Sequence, residues 1–443
     1  MADDAALPLC TALRAGLARY SFATFRQDAQ AGLVVSLIAL PLAMALAIAV
    51  GLPPQHGLYT AIIAGIAAAV FGGSPTQVSG PTAAFVVIIA PIVTNMGLHG
   101  LIFCQLIAGI FLLMLGFARM GRFVEYVPST VTTGFTAGIA VTIATLSLND
   151  FLGLEIQTSS AHYVDKVITI LRNISGMQPH ELAVGMITLL TIVFLPSVTK
   201  RFPAAVAGIA AGTILAFVLG KNGLPVDTLL TRFSYVAHDG ESLQGIPPYP
   251  PVFHLPGSDD TLFKMPDYEE FRTLLMPSVL IAALAALESL LSAKVADKLS
   301  GTKHDPNAEL NGIGIANILS GLAAGIPATG AIARTAANIQ AGARTPIASI
   351  IHAVLILIYV LALAPMISHI PMSALAALLL TVAWRMSHVA EFVALLKKGH
   401  LPEKTVLLAT FLLTIFIDMV AGVITGLILY GLFYIKRKKG KKT

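Results

Sequence analysis

Two stretches of this sequence place helix-breaking residues and small hydroxyls inside apolar surroundings. The first reads Gly72-Gly73-Ser74-Pro75-Thr76-Gln77-Val78-Ser79-Gly80-Pro81-Thr82-Ala83-Ala84 and runs apolar to Ala90. The second reads Gly325-Ile326-Pro327-Ala328-Thr329-Gly330-Ala331-Ile332-Ala333-Arg334-Thr335-Ala336. A helix that starts inside a membrane aims unpaired N–H groups at the solute in front of it. The positive end of its dipole favours an anion. The chemistry implied is anion coordination rather than bond making. Pro81 suits a first helical turn, since its missing N–H has no partner to lose. The amides of Thr82, Ala83 and Ala84 would then face a cavity. The second helix is expected to begin near Thr329 or Gly330, with the amides of Ala331, Ile332 and Ala333 opposite the first. The Thr82 hydroxyl either donates to an oxyanion or bonds back to its own helix. The Gly and Ala residues either admit a solute to the backbone or serve tight helix packing. Their recurrence at two matching places favours the former.

Arg334 is the one charge within the second broken stretch. A charge at membrane depth costs about 3 kcal/mol or more, so it is a functional candidate, drawing in or binding the anion. The competing reading is an arginine near the cytoplasmic end of a short helix that snorkels to the interface. Glu288 lies between the apolar runs Ala282 to Leu287 and Leu290-Leu291. A carboxylate beside an anion site repels it unless neutralised. A proton on Glu288 would remove that repulsion and let proton and anion travel together; a salt bridge to Arg334 is the alternative. Ser292, at i+4 from Glu288, shares its face and is a candidate substrate contact. His352, alone in an apolar stretch, reads as a hydrogen-bonded packing residue. Asp418 falls between two apolar runs, at an expected external turn. Cys10 and Cys104 have no disulfide or metal spacing and read as packing residues. No His/Asp/Glu pattern suggests a metal, and neither Ser79 nor Ser292 has a recognisable base, so no enzyme and no cofactor is expected beyond a co-transported H⁺ or Na⁺.

The surroundings of these residues are those of a membrane protein. The chain is 56% hydrophobic and 12% charged, against about 25% charged in soluble domains, and its mean hydropathy is +0.82. Runs long enough to span a bilayer recur, among them Ala31 to Val50, Leu101 to Ala118, Leu274 to Leu291 and Val406 to Val420. They are continuous rather than alternating, which selects helices over a barrel. No cleavable signal peptide is expected, because an amphipathic segment with Arg14, Arg19 and Arg26 precedes a first apolar run too long for one. The fold class is therefore an all-α polytopic membrane protein. About fourteen segments are predicted, near 30–50, 57–72, 82–96, 98–117, 124–149, 180–199 and 203–220, then 272–296, 308–325, 329–341, 345–366, 372–385, 404–417 and 420–436.

Positive residues orient them. With a cytoplasmic N-terminus, Arg119, Arg122, Lys200, Arg201, Lys294, Lys298, Lys303, Arg385, Lys397 and Lys398 fall inside. The tail Lys436-Arg437-Lys438-Lys439-Gly440-Lys441-Lys442 supplies much of the net charge of +5. It is expected to hold acidic lipid head groups rather than nucleic acid. The organisation read is a cytoplasmic segment 1–28, a first repeat 29–220, an external loop 221–270, a second repeat 271–436 and a tail 437–443. The loop is rich in Asp and Glu (Asp227, Asp239, Glu241, Asp259, Asp260, Asp267, Glu269, Glu270) and in proline. Seven segments per set is odd, so the sets enter from opposite sides and form inverted repeats. The third segment of each set, segments 3 and 10 overall, is the short broken one, and Gly65 to Ala84 weakly resembles Ile318 to Ala337. Ser387 to Leu396 is amphipathic and expected along the cytoplasmic surface.

Leu40-Pro41-Leu42-Ala43-Met44-Ala45, Gly51-Leu52-Pro53-Pro54, Gly57-Leu58-Tyr59-Thr60 and Val78-Ser79-Gly80-Pro81-Thr82 together resemble the opening of a SulP-type anion transporter, the sulfate permease family. Glu288-Ser289-Leu290-Leu291-Ser292-Ala293 and Pro327 to Thr335 resemble its later motifs, and the likeness runs from about Phe25 to Tyr434. The resemblance implies segments 1–4 and 8–11 in a substrate-carrying core and 5–7 and 12–14 in a gate, with the core moving elevator-fashion. It also implies a homodimer, and cavity-lining roles for Pro41, Leu42, Ala45 and Leu46. Family members usually continue into a cytoplasmic STAS domain; the expectation here is the membrane part without one. Some sodium-coupled bicarbonate carriers of the family place Asp where this chain has Glu288, and the longer acid leans toward protons.

The expected function is secondary-active transport of a small inorganic anion across the inner membrane, sulfate first and bicarbonate second. Sodium-coupled bicarbonate transport, a passive anion channel or exchanger, and a nucleobase permease are the alternatives. A nucleobase would call for polar and acidic residues where segment 10 offers Ala, Ile and Arg.

Overall fold

The computed structural model describes residues 8–18, 20–124, 128–154, 156, 163–199, 202–237, 240–257, 261–417 and 419–439. Arg19, Lys200, Arg201, Asp239, Asp259, Asp260, Asp418 and the end of the basic tail lie outside them. In chain order the elements are α1 (Thr11–Leu17), α2 (Phe22–Ala49), α3 (Pro54–Phe71), β1 (Ser79–Gly80), α4 (Val86–Phe117), α5 (Gly121–Val124), α6 (Ser129–Leu152), α7 (Tyr163–Arg172), α8 (Pro179–Val198), α9 (Ala204–Lys221), α10 (Leu229–Arg232), β2 (Ser234–Val236), β3 (Ser242–Gln244), α11 (Tyr268–Ser300), α12 (Pro306–Leu322), β4 (Thr329–Gly330), α13 (Ile332–Gln340), α14 (Ile347–Ile367), α15 (Met372–Met386), α16 (Val389–Lys398), α17 (Leu401–Phe416) and α18 (Met419–Lys439).

Each predicted segment coincides with a helix or with half of one. Boundaries move where a cap sits outside the apolar run. α2 starts at Phe22 rather than near residue 30 because the Ser21 side chain accepts from the Thr24 amide at 3.2 Å. α11 starts at Tyr268 because Asp267 accepts from Glu270 N at 2.8 Å. α3 and α12 both open on proline at the first turn, Pro54 and Pro306. Predicted segments 3 and 4 form one run, α4, broken at Gly97 by φ 66°, ψ −167°. Only glycine adopts that conformation without strain.

Among the described residues, nine helical stretches are long and apolar enough to cross a membrane. Their outward faces carry large apolar side chains such as Phe194, Ile214 and Phe217, each more than half exposed, as a lipid-facing surface requires. The interior is dense: a Cβ on Gly57 of α3 would lie 1.9 Å from the Ala43 carbonyl of α2. The helices pack mainly in two groups. One joins α2, α3, α4, α11, α12, α13 and α14; the other joins α6, α8, α9, α15, α17 and α18. The amphipathic stretch expected over Ser387 to Leu396 is α16, which buries no residue. In the polar stretch after α9, β2 pairs antiparallel with β3. An amphipathic helix that the sequence reading did not anticipate, α7, follows α6.

Candidate functional site

The two broken stretches meet. β1 pairs antiparallel with β4, Ser79 opposite Gly330 and Gly80 opposite Thr329. The Ala331 amide donates to the Val78 carbonyl at 2.9 Å, and the Val78 amide donates to Thr335 Oγ1 at 3.1 Å. Irregular backbone at membrane depth must find such partners inside the protein. The approach to β4 is held by Asn317, which accepts from Ala328 N and donates to Ala328 O, both at 2.9 Å. Thr60 Oγ1 accepts from Ile326 N at 2.6 Å. Thr329 Oγ1 donates to the Ala285 carbonyl of α11 at 2.9 Å.

The approach to β1 is held by Glu309, a residue the sequence reading missed. The residue is 2% exposed. Oε2 accepts from the amides of Gly73 and Ser74, both at 3.1 Å, and Oε1 from Gln77 Nε2 at 2.6 Å and Ser289 Oγ at 2.8 Å. A carboxylate offers about four lone-pair directions, and here four donors occupy them without a cation.

The helices start slightly later than the sequence suggested. Pro81, expected in the first helical turn, lies before it: Thr82 is the N-cap, with extended φ −126°, ψ 154°, and a 3₁₀ turn over Ala83–Phe85 leads into α4. Ala331 caps α13 in the same way. The expectation that the Ala331 amide faces a solute is corrected, because pairing beside β4 engages it with Val78. The free first-turn amides are those of Ala83 and Ala84 on one side and of Ile332 and Ala333 on the other. α13 has nine residues, about 14 Å at 1.5 Å per residue, which is half of a bilayer core.

The Thr82 hydroxyl takes neither expected course: it donates to Glu288 Oε2 at 2.8 Å. Arg334 does not snorkel. It lies in the first turn of α13, 2% exposed, and its Nη2 donates to the Pro81 carbonyl at 2.6 Å. Its Nε and Nη1 have no hydrogen-bond partner. Glu288 and Arg334 are near enough to sense each other's charge but form no ion pair, so the salt bridge left open by the sequence is not made here. The guanidinium fits because residue 80 is glycine: a Cβ there, at φ 151°, would stand 2.9 Å from Arg334 Nη1. His352 is fully buried as expected, but neither ring nitrogen is hydrogen-bonded, which corrects the packing reading in part.

Thr82, Glu288 and Leu42 are partly exposed and Ile332 and Ala333 exposed, whereas Ala83, Ala84, Ala331, Leu46, Ser292 and Arg334 are buried. The Ser292 hydroxyl lies 3.2 Å from Thr335 Oγ1, so it props the crossover rather than the open face. The accessible surface is thus Leu42, Thr82, Glu288, Ile332 and Ala333, with the Arg334 charge directly beneath. Among the described residues no cluster of three or more His, Cys, Asp or Glu side chains suits a metal.

The sequence profile of the Sulfate permease family matches residues 25–410. This chain belongs to the sulfate permease family. YvdB of Bacillus subtilis (strain 168), named provisionally as a sulfate transporter, is 39% identical over 94% of this chain and 75% of its own length. Bicarbonate transporter BicA of Picosynechococcus sp. (strain ATCC 27264 / PCC 7002 / PR-6) is 30% identical over 94% of this chain and 71% of its own. The solved transmembrane domain of a cyanobacterium bicarbonate transporter BicA superposes with a TM-score of 0.77, at 29% identity over 91% of this chain and 98% of that one. SLC26A9, at 18% identity over 96% of this chain and 68% of that one, shares the fold with a TM-score of 0.82. The sulfate permease family makes this chain a multi-pass membrane protein and a transporter, not an enzyme.

Proposed function

We propose that the chain carries a small inorganic anion by secondary-active transport, sulfate by first preference and bicarbonate by second. One observation carries this reading: Arg334, buried beside two opposed helix N-termini, keeps two guanidinium nitrogens unpartnered. A cation desolvated in this way is costly unless an anion approaches it. The anion would sit before Thr82 and Ile332–Ala333, with backbone amides and helix dipoles adding attraction. Sulfate and bicarbonate both offer the oxygens that such donors need, and both are named for relatives.

The same reading extends to the whole molecule. About fourteen spans form two inverted seven-segment repeats, and the packing group containing α13 is the moving core that slides against the other as a gate. The regions 29–220 and 271–436 are the repeats, both ends are cytoplasmic, the membrane is the inner one, and two copies associate. Glu288, linked to Thr82, is the coupling group, loaded by a proton when the anion binds. Sodium-coupled bicarbonate carriage is the second reading; the likeness to BicA over nearly the whole chain supports bicarbonate as its anion.

The deciding experiment is flux into proteoliposomes with labelled sulfate and labelled bicarbonate, under a proton gradient, a sodium gradient or neither. Sulfate accumulation driven by protons is expected. Accumulation of bicarbonate driven by sodium alone would replace the first reading with the second. Uptake of a neutral or cationic solute in place of either anion would overturn both.

A further inference from the structure

A cavity of about 170 Å³ lies between the C-terminal end of α2, the part of α4 before Gly97, and α6, α7 and α15. That is many times the roughly 10–15 Å³ that one water requires. α2 is 28 residues long, about 42 Å of rise, so the cavity opens on the face opposite its start. Ala45 in its wall is three residues along α2 from Leu42, and Ala90 is eight along from Thr82. The cavity therefore stands about 5–12 Å above the candidate site, by 1.5 Å of rise per residue.

Its polar lining is Thr94, Ser147, Asn149, Asp150 and Lys166. Four of these are engaged within the protein. Thr94 and Ser147 donate to the carbonyls of Ala90 and Ile143, both at 2.8 Å. Asn149 is tied in both directions to the Ile156 backbone, at 3.1 and 3.2 Å. Asp150 accepts from Arg232 Nη1 at 3.1 Å, and the same guanidinium grips Asp227. Lys166 has no hydrogen-bond or ion-pair partner among the described residues. It is half-buried on α7, and burial pulls its ammonium below the ordinary lysine value with no carboxylate holding it up. Its neighbour Asp165 is exposed, and adjacent helical positions do not face each other. The fifth polar group is thus a partly desolvated cation with no ion-pair partner among the described residues.

We infer that Lys166 is a capture residue for small inorganic anions, a positive charge held by no carboxylate among the described residues, in the wall of the cavity on the face that α7 occupies. The inference rests on the transport reading above. A half-dehydrated ammonium in a low-dielectric recess raises the local anion concentration, and it does so only from its own side of the membrane.

The test compares K166E, K166Q and K166R with the parent chain, measuring the KM for labelled sulfate from each face in right-side-out and inside-out vesicles. K166E should raise KM from one face only, roughly five- to tenfold at low ionic strength, with the effect shrinking as salt shortens the screening length. K166Q should give a smaller rise and K166R stay near the parent, with Vmax unchanged in all three. If K166E does not fold, the difference between K166Q and K166R decides. An unaltered KM, an equal change from both faces, or a change indifferent to salt overturns the assignment. Parent flux with K166E unchanged removes Lys166 alone, whereas no flux of sulfate or bicarbonate through the parent removes the transport reading and Lys166 with it.

Discussion

Glu309 and Glu288 are acids inside the same group of helices, on α12 and α11, and they differ in how fully they are used. Glu309 accepts four hydrogen bonds and is sealed from solvent. Glu288 accepts one, from Thr82, keeps an opening to solvent and stands apart from the nearby Arg334. A saturated carboxylate has no capacity left for a ligand or a proton without losing a bond it already makes. An under-used carboxylate at an opening can change partners at little cost. Satisfaction, rather than burial, separates the acid that builds the site from the acid that works in it.

This contrast is most severely tested at Glu309. Glu309→Gln places an amide where two N–H donors point, leaving them unpaired at about 1–3 kcal/mol each. A loss of about 2–6 kcal/mol should appear as a much lower melting temperature in detergent and poor expression. A variant that melts like the parent would show that the four bonds do not hold the approach to β1.

Arg334→Ala should come next. Losing charge-assisted bonds worth about 1.5–3 kcal/mol weakens sulfate affinity roughly ten- to hundredfold, as calorimetry can read. Arg334→Lys should recover part of it, since it restores charge without the forked geometry. Unaltered affinity in Arg334→Ala would refute the anion-binding role.

Glu288→Gln should leave the fold intact, because an amide oxygen still accepts from Thr82. Proton-driven accumulation should vanish while anion exchange persists. Gradient-driven uptake equal to the parent's would remove Glu288 from coupling. The smallest effect is expected at Ser292: Ser292→Ala should cost less than about 1 kcal/mol and leave KM within about twofold. A tenfold rise would restore Ser292 as a substrate contact.

Much of this arrangement is legible in the residues themselves. Proline, glycine and hydroxyl residues in an apolar chain mark both broken helices, and an arginine among alanines marks its own exceptional position. The helix starts are not legible to the residue. Whether the first turn begins at Pro81 or only after Thr82, and whether the Ala331 amide is free, depends on β1 meeting β4, and no local pattern reports that contact. Glu309 escaped notice for a related reason. It follows Asp305-Pro306 in a first helical turn, where an acid is ordinary, and three of its four donors come from residues 73–77. α7 was missed because its apolar positions are too few to read as a span, and Lys166 matters only through the cavity above which α7 lies.

The pairing of β1 with β4 also bears on how the protein is made. Val78 and Thr335 are 257 residues apart. At about 5–20 residues per second, roughly 13–50 s pass between their emergence from the ribosome. Throughout that interval the first crossover strand lies at membrane depth with its backbone groups unmatched, where the bilayer offers no water to satisfy them. The nascent first half must therefore be sheltered, by the insertion machinery or in an aqueous recess, until its distant complement arrives.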